Sequence, residues 1–424
     1  MTEHAVFAFF TAAVVSFVLT PITGRLGRRV GAIDTPRERG LSLAATPRLG
    51  GVAILAGAMV AAALWLPTSN EVRGIFAGAA LVTAVGAVDD VVDLPPFVKL
   101  LGQFASGLIP VLAGVSVANI TLPFVGPVSF GHPLGEIVTL IGLVAVMNVV
   151  NLSDGVDGLA AGVCTISALT FSVIAFDLGR DGAGVLAALT AGASLGFLFH
   201  NFHPASVFMG DSGSNLLGLL LGATIVQGSL KTNAVIALVA PLIILAVPFL
   251  DTGFVVAKRV KQRRPIYRGD SEHFHHRLDR IGFSQRRTVL YLYAWTMIMG
   301  GLALALRFVP YNDDQGQFNV KWSLVMVGMG LVALAASLYL VYVLEILKFR
   351  RLRARQLRRG DPGTSEWEID ETVARELETG EFEALAPDTP PPPQPPGPAS
   401  PSAAVHRAQP DAGEPFDEVG GIHR

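Results

Sequence analysis

Long apolar runs separated by short polar stretches fill most of the chain. We predict about eleven runs of roughly 17 to 25 residues, the length that crosses about 30 Å of hydrocarbon as an α-helix. The runs lie near residues 4–23, 50–66, 73–88, 97–115, 134–150, 158–176, 183–199, 213–230, 233–250, 288–309 and 322–346. The pattern therefore predicts an all-α integral membrane protein with about eleven transmembrane helices.

The C-terminal part of the chain has a different composition. After residue 347 a basic run is followed by an acidic stretch and then by a proline-rich segment around residues 390–396. Such a composition cannot bury a core, so we expect residues 348–424 to be a largely disordered tail. Residues 1–347 are predicted to be one multi-pass membrane domain.

Positive charge is concentrated in the loops that follow the first, ninth and eleventh runs. With eleven spans, all three loops fall on the same side of the membrane. Loops rich in Lys and Arg stay in the cytoplasm. We therefore predict an external N-terminus and a cytoplasmic C-terminus, and no nucleic-acid partner for this basic charge.

Composition agrees with a bilayer location, because 51% of the residues are hydrophobic, 16% are charged and the formal net charge is -2. Cys164 is the single cysteine and lies inside the sixth run. A disulfide or a thiolate metal site within one chain is therefore excluded.

The first acidic cluster closes the third run and comprises Asp89, Asp90 and Asp93. Carboxylates near hydrocarbon are unfavourable by roughly 2.5 to 3.5 kcal/mol each at mid-bilayer, so a cluster indicates a function or a shared cation. Adjacent carboxylates suit Mg²⁺, which prefers oxygen ligands and keeps bound phosphates and waters. The alternative is a polar helix end before Pro95 and Pro96, but a like-charged pair is destabilising unless a cation or Lys99 offsets it.

The segment 148–159 is the strongest signal in the chain. Asn148, Asn151, Asp154 and Asp157 recur at three-residue steps, and glycines between them permit tight turns. This pattern predicts a polar pocket wall between two spans. The alternative is that Asp154 or Asp157 caps the following helix, although a cap needs only one of the four residues.

Two further motifs carry candidate chemistry. Asp211 lies among small residues at 208–214 that open the eighth run, where free helix N–H groups attract anions and the carboxylate could reach a metal; N-capping is the alternative. The segment 273–278 brings three histidines and an arginine into the most basic loop, where they offer donors to a diphosphate. A surface helix that binds anionic lipid headgroups is the competing interpretation. By the same span count, all these motifs emerge on the cytoplasmic face.

Together the motifs resemble those of the bacterial polyprenyl-phosphate N-acetylhexosamine-1-phosphate transferases, a glycosyltransferase family 4 group, over roughly residues 10–345. The motifs are DDVVD at 89–93, NxxNxxDGxDGL at 148–159, FMGDSGS at 208–214 and HFHHRL at 273–278. The last motif and the segment PRLGG at 47–51 are more similar to the branch that starts O-antigen, teichoic acid or arabinogalactan linkers than to lipid I synthase.

The resemblance implies a reaction and a set of partners. Polyprenyl phosphate, with an undecaprenyl or decaprenyl chain, would attack the β-phosphorus of a UDP-N-acetylhexosamine, with UDP-GlcNAc as the expected donor, and release UMP. The implied cofactor is Mg²⁺, with Mn²⁺ as the alternative. The implied location is the bacterial cytoplasmic membrane, with the active site facing the cytoplasm and a homodimer as the implied assembly.

The same resemblance assigns roles by motif. Asp89 and Asp90 would position or deprotonate the lipid phosphate, and Asp211 and Asn151 would bind the metal. The residues implied in substrate binding are Asp93, Asn148, Asp154, Asp157, His273, His275, His276, Arg277 and Arg48.

The chain departs from the family pattern at two places. Gly40, Ser42 and Ala45 stand where relatives carry Lys, His and Pro, and Ser271 replaces an Arg before the histidine motif. We expect the intact aspartate core to support activity with altered affinity or donor choice. The alternatives are a lipid I synthase-like phospho-MurNAc-pentapeptide transferase, an Asp-rich membrane prenyltransferase and a cation-coupled transporter.

Overall fold

The structure, a computed structural model, describes most of the membrane domain. The described residues are 2–34, 45–117, 119–122, 126–229, 285–310, 319–337, 365, 367–369 and 371–373. His273, His275, His276 and Arg277 lie outside the described residues, as does the ninth predicted span.

Helices account for most of the described chain. They are α1 (Thr2–Val30), α2 (Gly50–Trp65), α3 (Asn70–Val92), α4 (Pro96–Leu112), α5 (Leu134–Ser153), α6 (Leu159–Asp177), α7 (Asp181–Asn201), α8 (Gly210–Ser229), α9 (Gln285–Phe308) and α10 (Val320–Ser337). These helices overlie the first eight predicted spans and the last two. The total of eleven spans stays a prediction.

Within the described residues, seven helices are long and apolar enough to cross a membrane, namely α1, α3, α5, α6, α7, α9 and α10. Helices α2 and α4 are shorter apolar helices. The chain is therefore a mostly helical, multi-pass membrane protein.

Two short antiparallel strand pairs were not predicted. Strand β1 (Ile33–Asp34) pairs with β2 (Thr46–Pro47), and β3 (Asn119–Leu122) pairs with β4 (Gly126–Ser129). Strands of two to four residues are too short to show an alternating pattern in the sequence. The first pair matters for the site because it brings the segment before α2 against the end of α1.

Helix α7 is central in the bundle and packs against α1, α2, α6 and α8. A Cβ atom at Gly192 or Gly196 would lie 2.1 Å from the backbone oxygen of Phe9 or Ala13, respectively. Helix association in a bilayer relies on such close backbone packing, because lipid tails are as apolar as the side chains. By contrast, α1 exposes Phe10 and Val14 on its outer face, where they can contact lipid.

The chain divides into two units, residues 1–351 and residues 352–424. In the second unit, residues 367–369 and 371–373 are helical. Disorder of the tail stays a prediction. Helices α1 to α10 all belong to the first unit.

Candidate active site

The C-terminal turn of α3 packs against the N-terminus of α8. Asp89 and Asp90 lie in that turn and are 6% and 7% exposed. Asp90 Oδ1 accepts a hydrogen bond from Asp211 N at 2.9 Å, and Asp90 Oδ2 accepts one from Ser212 N at 3.3 Å. Asp90 thus caps α8 from another helix, and the amides that we expected to hold a phosphate are bound by this carboxylate.

Glycine backbones let three helices meet at this point. A Cβ atom at Gly86 of α3 would lie 2.4 Å from Ser212 N, and one at Gly51 of α2 would lie 2.2 Å from Gly213 N. The N–H of Gly51 also donates to Met209 O at 3.1 Å. The PRLGG segment therefore serves as a backbone support for the start of α8, which is where Asp211 is positioned.

A further set of contacts brings the charged side chains together. Lys99 of α4 places its Nζ 2.6 Å from Asp89 Oδ2 and 3.3 Å from Asp211 Oδ2. Asp211 is also within hydrogen-bonding reach of the side chains of Asp89 and Asn151. Asn151 Nδ2 donates to Ser214 Oγ at 3.0 Å. Residues from four helices (α3, α4, α5 and α8) therefore converge on one small polar site.

The donor set at this site fits a hard divalent cation. Among the described residues there is no group of three or more His, Cys, Asp or Glu side chains that could hold a metal. Asp89 and Asp211 do offer two carboxylates, and Asn151 offers an amide oxygen. Mg²⁺ is commonly bound through one or two carboxylates with substrate phosphates and waters completing its shell. Lys99 supplies a cation between the two carboxylates in the present arrangement.

Asp154 lies at the C-terminal end of α5, between that helix and α6, and its side chain is partly buried. Desolvation by burial raises the pKa of Asp154 to about 8, and the nearby carboxylates of Asp211 and Asp90 add to the increase, while Arg48 opposes it. Asp154 thus lies within the electrostatic field of the site. A bound cation would favour its ionised form.

Arg48 follows strand β2 and lies near Asp154. Its Nη2 forms an ion pair with Asp34 Oδ1 at 2.7 Å. The backbone N–H of Arg48 donates to Ala32 O at 2.9 Å, which fixes the start of the side chain. Arg48 is 35% exposed in its side chain and is therefore accessible to an anionic ligand.

Asp157 has a different set of contacts. Its Oδ2 accepts hydrogen bonds from His203 Nδ1 at 2.8 Å and from Ala205 N at 3.0 Å. Asp157 therefore holds the segment between α7 and α8. The neighbouring Gly158 N donates to Asn201 Oδ1 at 3.0 Å, so the connection between α5 and α6 is also bound to the end of α7.

Asp93 is exposed and ends α3 in a left-handed conformation with φ 54°. Its N–H donates to Asp89 O at 2.9 Å. Asn148 is directed into the bundle and contacts Gln103. The substrate-binding roles of Asp93, Asn148, Asp154, Asp157 and Arg48 stay predictions, as do the roles of the 273–277 motif.

Sequence reasoning missed several residues of the site. Lys99 was considered only as a charge offset, and Gln103, Asn215, His203 and Asp34 were not singled out. A polar residue inside an apolar run is the signal that could have found Gln103 and Asn215, because buried polar groups need partners.

The fold and the site define a class of protein: a multi-pass membrane protein with a cluster of carboxylates where several helix ends meet. Residues 72–229 match the family described as "Glycosyl transferase family 4". The chain belongs to this family.

Named relatives narrow the comparison. The chain is 35% identical to the decaprenyl-phosphate N-acetylglucosaminephosphotransferase of Mycobacterium leprae, over 76% of this chain and 88% of the relative. It is 34% identical to the probable undecaprenyl-phosphate N-acetylglucosaminyl 1-phosphate transferase of Bacillus subtilis, over 71% of this chain and 85% of the relative. A phospho-N-acetylmuramoyl-pentapeptide-transferase of Moorella thermoacetica is 34% identical over 70% of this chain and 96% of the relative. The chain as a whole is more similar to the first two relatives than to the third, which confirms the branch that the motifs indicated.

Proposed function

We propose that this protein transfers N-acetylglucosamine 1-phosphate from UDP-GlcNAc to polyprenyl phosphate and releases UMP. The relatives' names support the sugar phosphate and the polyprenyl acceptor. The observation that carries the proposal is the convergence of Asp89, Lys99, Asn151 and Asp211 from four helices. The product would start a lipid-linked glycan of the cell envelope.

The proposed reaction is a phosphoryl transfer between two anions. An oxygen of the lipid phosphate forms a bond to the β-phosphorus of the donor, and the bond from that phosphorus to the bridging oxygen breaks. The electron pair leaves with UMP. A phosphomonoester with a second pKa near 6 is largely a dianion at neutral pH, so a general base is a secondary requirement. Positioning and charge neutralisation are then the main tasks of the site.

The side chains are suited to these tasks. Lys99 can pair with a phosphate oxygen while it remains close to Asp89 and Asp211. Arg48 offers a second cation at the edge of the site. Asp90 keeps α8 in place by binding its first amides. Because a carboxylate repels a phosphate, we assign Asp89 to placement of the lipid phosphate through the Lys99 ammonium that it contacts. We assign Asp90 to support of Asp211.

A divalent cation completes the proposal. Asp89, Asp211 and Asn151 would hold Mg²⁺ or Mn²⁺, and the bound metal would neutralise charge on the diphosphate. The two carboxylates and the amide oxygen support this assignment by their chemistry.

We further propose eleven spans with an external N-terminus, a cytoplasmic C-terminus and an active site on the cytoplasmic face of the bacterial cytoplasmic membrane. The ends of α3, α5 and α7 and the start of α8 lie together at one end of the bundle. At the other end, Gln227 of α8 donates to Glu71 of α3 at 3.4 Å. This alternation supports the span count through α8. A homodimer remains part of the proposal through family likeness alone.

The test is a reconstitution with purified protein, polyprenyl phosphate, Mg²⁺ and UDP-GlcNAc labelled in the sugar. We expect labelled sugar in the lipid extract and an equal amount of UMP in the aqueous phase. The Asp211→Asn variant is the control for contaminating enzyme. Transfer from UDP-MurNAc-pentapeptide instead would indicate the lipid I synthase-like activity, and release of pyrophosphate without UMP would contradict the proposed chemistry.

A further inference from the structure

Three amide side chains form a connected group inside the bundle, next to the charged site. Gln103 Oε1 accepts from Asn148 Nδ2 at 2.7 Å, and Gln103 Nε2 donates to Asn215 Oδ1 at 2.7 Å and reaches Asn148 Oδ1 at 3.4 Å. Gln103 and Asn215 are 6% and 5% exposed. The group therefore links α4, α5 and α8 in an environment where an unpaired amide is unfavourable.

Each amide lies one helical turn further into the bundle than a residue of the charged site. Residues three or four apart in a helix lie on the same face. The pairs are Lys99 with Gln103 on α4, Asn151 with Asn148 on α5, and Asp211 with Asn215 on α8. The amide group thus forms a second layer that repeats the arrangement of the charged layer beside it.

The hydrogen bonds give this layer a defined geometry. Asn148 Nδ2 also donates to Val144 O at 2.8 Å, and Asn215 Nδ2 donates to Asp211 O at 2.8 Å. The oxygen of Gln103 faces the Asn148 NH₂ group and its nitrogen faces the Asn215 oxygen, so reversing the side-chain amide would set donor against donor and acceptor against acceptor. The layer therefore fixes both the spacing and the rotation of the three helices.

We propose that Gln103 is a positioning residue that sets the distances among Lys99, Asn151 and Asp211 through Asn148 and Asn215. The proposal deepens the proposed function and rests on it for the identity of the ligands. Gln103 itself does not touch the reacting atoms. Its removal would leave the amides of Asn148 and Asn215 without their shared partner and would allow α4, α5 and α8 to move relative to each other.

The test compares Gln103→Leu, Asn215→Leu and the double variant with the wild-type protein. Gln227→Leu is the matched control, because it makes the same substitution on α8 at the opposite end of the bundle, where Gln227 contacts Glu71. For each protein we would measure kcat and KM by UMP release, Mn²⁺ affinity by electron paramagnetic resonance, and the thermal unfolding temperature. All kinetics would be run well below the lowest unfolding temperature.

We expect Gln103→Leu to lower kcat by about 30- to 100-fold, since a displacement of about 1 Å in a site has this order of effect. KM for UDP-GlcNAc should change by less than about twofold and the Mn²⁺ Kd should rise by about fivefold or more, because the metal ligands are displaced while other residues hold the nucleotide. The double variant should be little worse than either single variant, because both belong to one network. Gln227→Leu should resemble the wild-type protein.

The outcomes separate this proposal from the proposed function. Wild-type kinetics and Mn²⁺ affinity in Gln103→Leu would overturn the positioning role and leave the transferase intact. The same conclusion would follow if the fold-decrease in kcat of the double variant equalled the product of the two single decreases. A wild-type protein that binds Mn²⁺ more tightly than Gln103→Leu but releases no UMP would overturn the function and retain the positioning role. A wild-type protein that does neither would overturn both.

Discussion

At the residue scale, two adjacent aspartates have different surroundings. Asp90 directs both carboxylate oxygens to backbone N–H groups of α8. Asp89 accepts from Leu94 N at 2.7 Å with one oxygen and contacts Lys99 with the other. One side chain therefore supports the fold of the site, and its neighbour belongs to the charged group that would meet the substrates.

This difference predicts that Asp90→Asn lowers the stability of the protein, whereas Asp89→Asn lowers its turnover. Asn offers one acceptor oxygen and places an NH₂ group against the second N–H of α8, so Asp90→Asn should reduce stability by about 1 kcal/mol, as for loss of a helix cap. Asp89→Asn reduces repulsion with Asp211 and should leave stability unchanged or higher. It should lower turnover by about 100-fold or more.

Thermal unfolding in detergent and UMP release would be measured on both variants. Near-normal turnover of Asp89→Asn at neutral pH would contradict its placement of the lipid phosphate. An unchanged unfolding temperature of Asp90→Asn would contradict the cap.

Asp154 makes stability depend on pH in a known direction. Burial raises its pKa from 3.8 to about 8, so the unfolded chain releases this proton at a lower pH than the folded protein does. The contribution of Asp154 to the free energy of unfolding is therefore most favourable below pH 3.8 and is lost as pH rises toward 8. In EDTA-treated protein, the unfolding temperature of Asp154→Asn should therefore fall less between pH 5 and about pH 8 than that of the wild type. If the unfolding temperatures of the two proteins fell in parallel with pH, the pKa of Asp154 would not be raised in the folded state.

At the element scale, the site depends on how closely the start of α8 approaches its neighbours. The backbones of α2 and α3 reach it only because Gly51 and Gly86 lack a Cβ atom. Without these contacts, Asp90 and Asp211 would not come within hydrogen-bonding distance. The glycines thus act through helix packing rather than through chemistry.

Gly86→Ala tests this dependence. The added Cβ would lie 2.4 Å from Ser212 N, so α3 and α8 would have to separate, with a loss of about 1 to 3 kcal/mol. Gly142→Ala on α5 is the control, because a Cβ there meets no atom within 4 Å. We expect a lower unfolding temperature and weak UMP release for Gly86→Ala alone. Equal behaviour of the two variants would show that the contact between α3 and α8 is not required.

At the scale of the whole molecule, the alternation of helices places all the aspartate motifs at one end of the first unit. The connection between α2 and α3 and the one between α4 and α5 lie at the other end. Cysteines introduced at the two ends should therefore be separated by the membrane. Cys164 is buried and would not react in the background.

We expect a membrane-impermeant maleimide to label Thr68→Cys and His132→Cys in intact cells and to label Ser206→Cys only after permeabilisation. His132 is 93% exposed in its side chain, so lack of access would not explain a failure to react. Labelling of His132→Cys and Ser206→Cys from the same side would refute the alternation and the proposed orientation.

The membrane class could be predicted from the sequence, as could the approximate positions of the helices and the motifs that carry the aspartates. These features are local, because a run of apolar residues is unstable outside lipid or a protein core wherever it occurs. The motifs also predicted that Asp89, Asn151 and Asp211 belong to one site. Their convergence followed from resemblance and from counting spans, and not from any local signal.

The partner of each polar group is set by the packing of the helices and could not be predicted from the sequence. Asp90 and Asp211 are 121 residues apart, and Gln103 and Asn215 are 112 apart, so no local pattern relates them. In the sequence, Asp90 is equivalent to Asp89, and Gln103 is a polar residue in an apolar run. Their roles arise from helix ends packed through glycine, where each buried donor and acceptor must find a partner from another part of the chain.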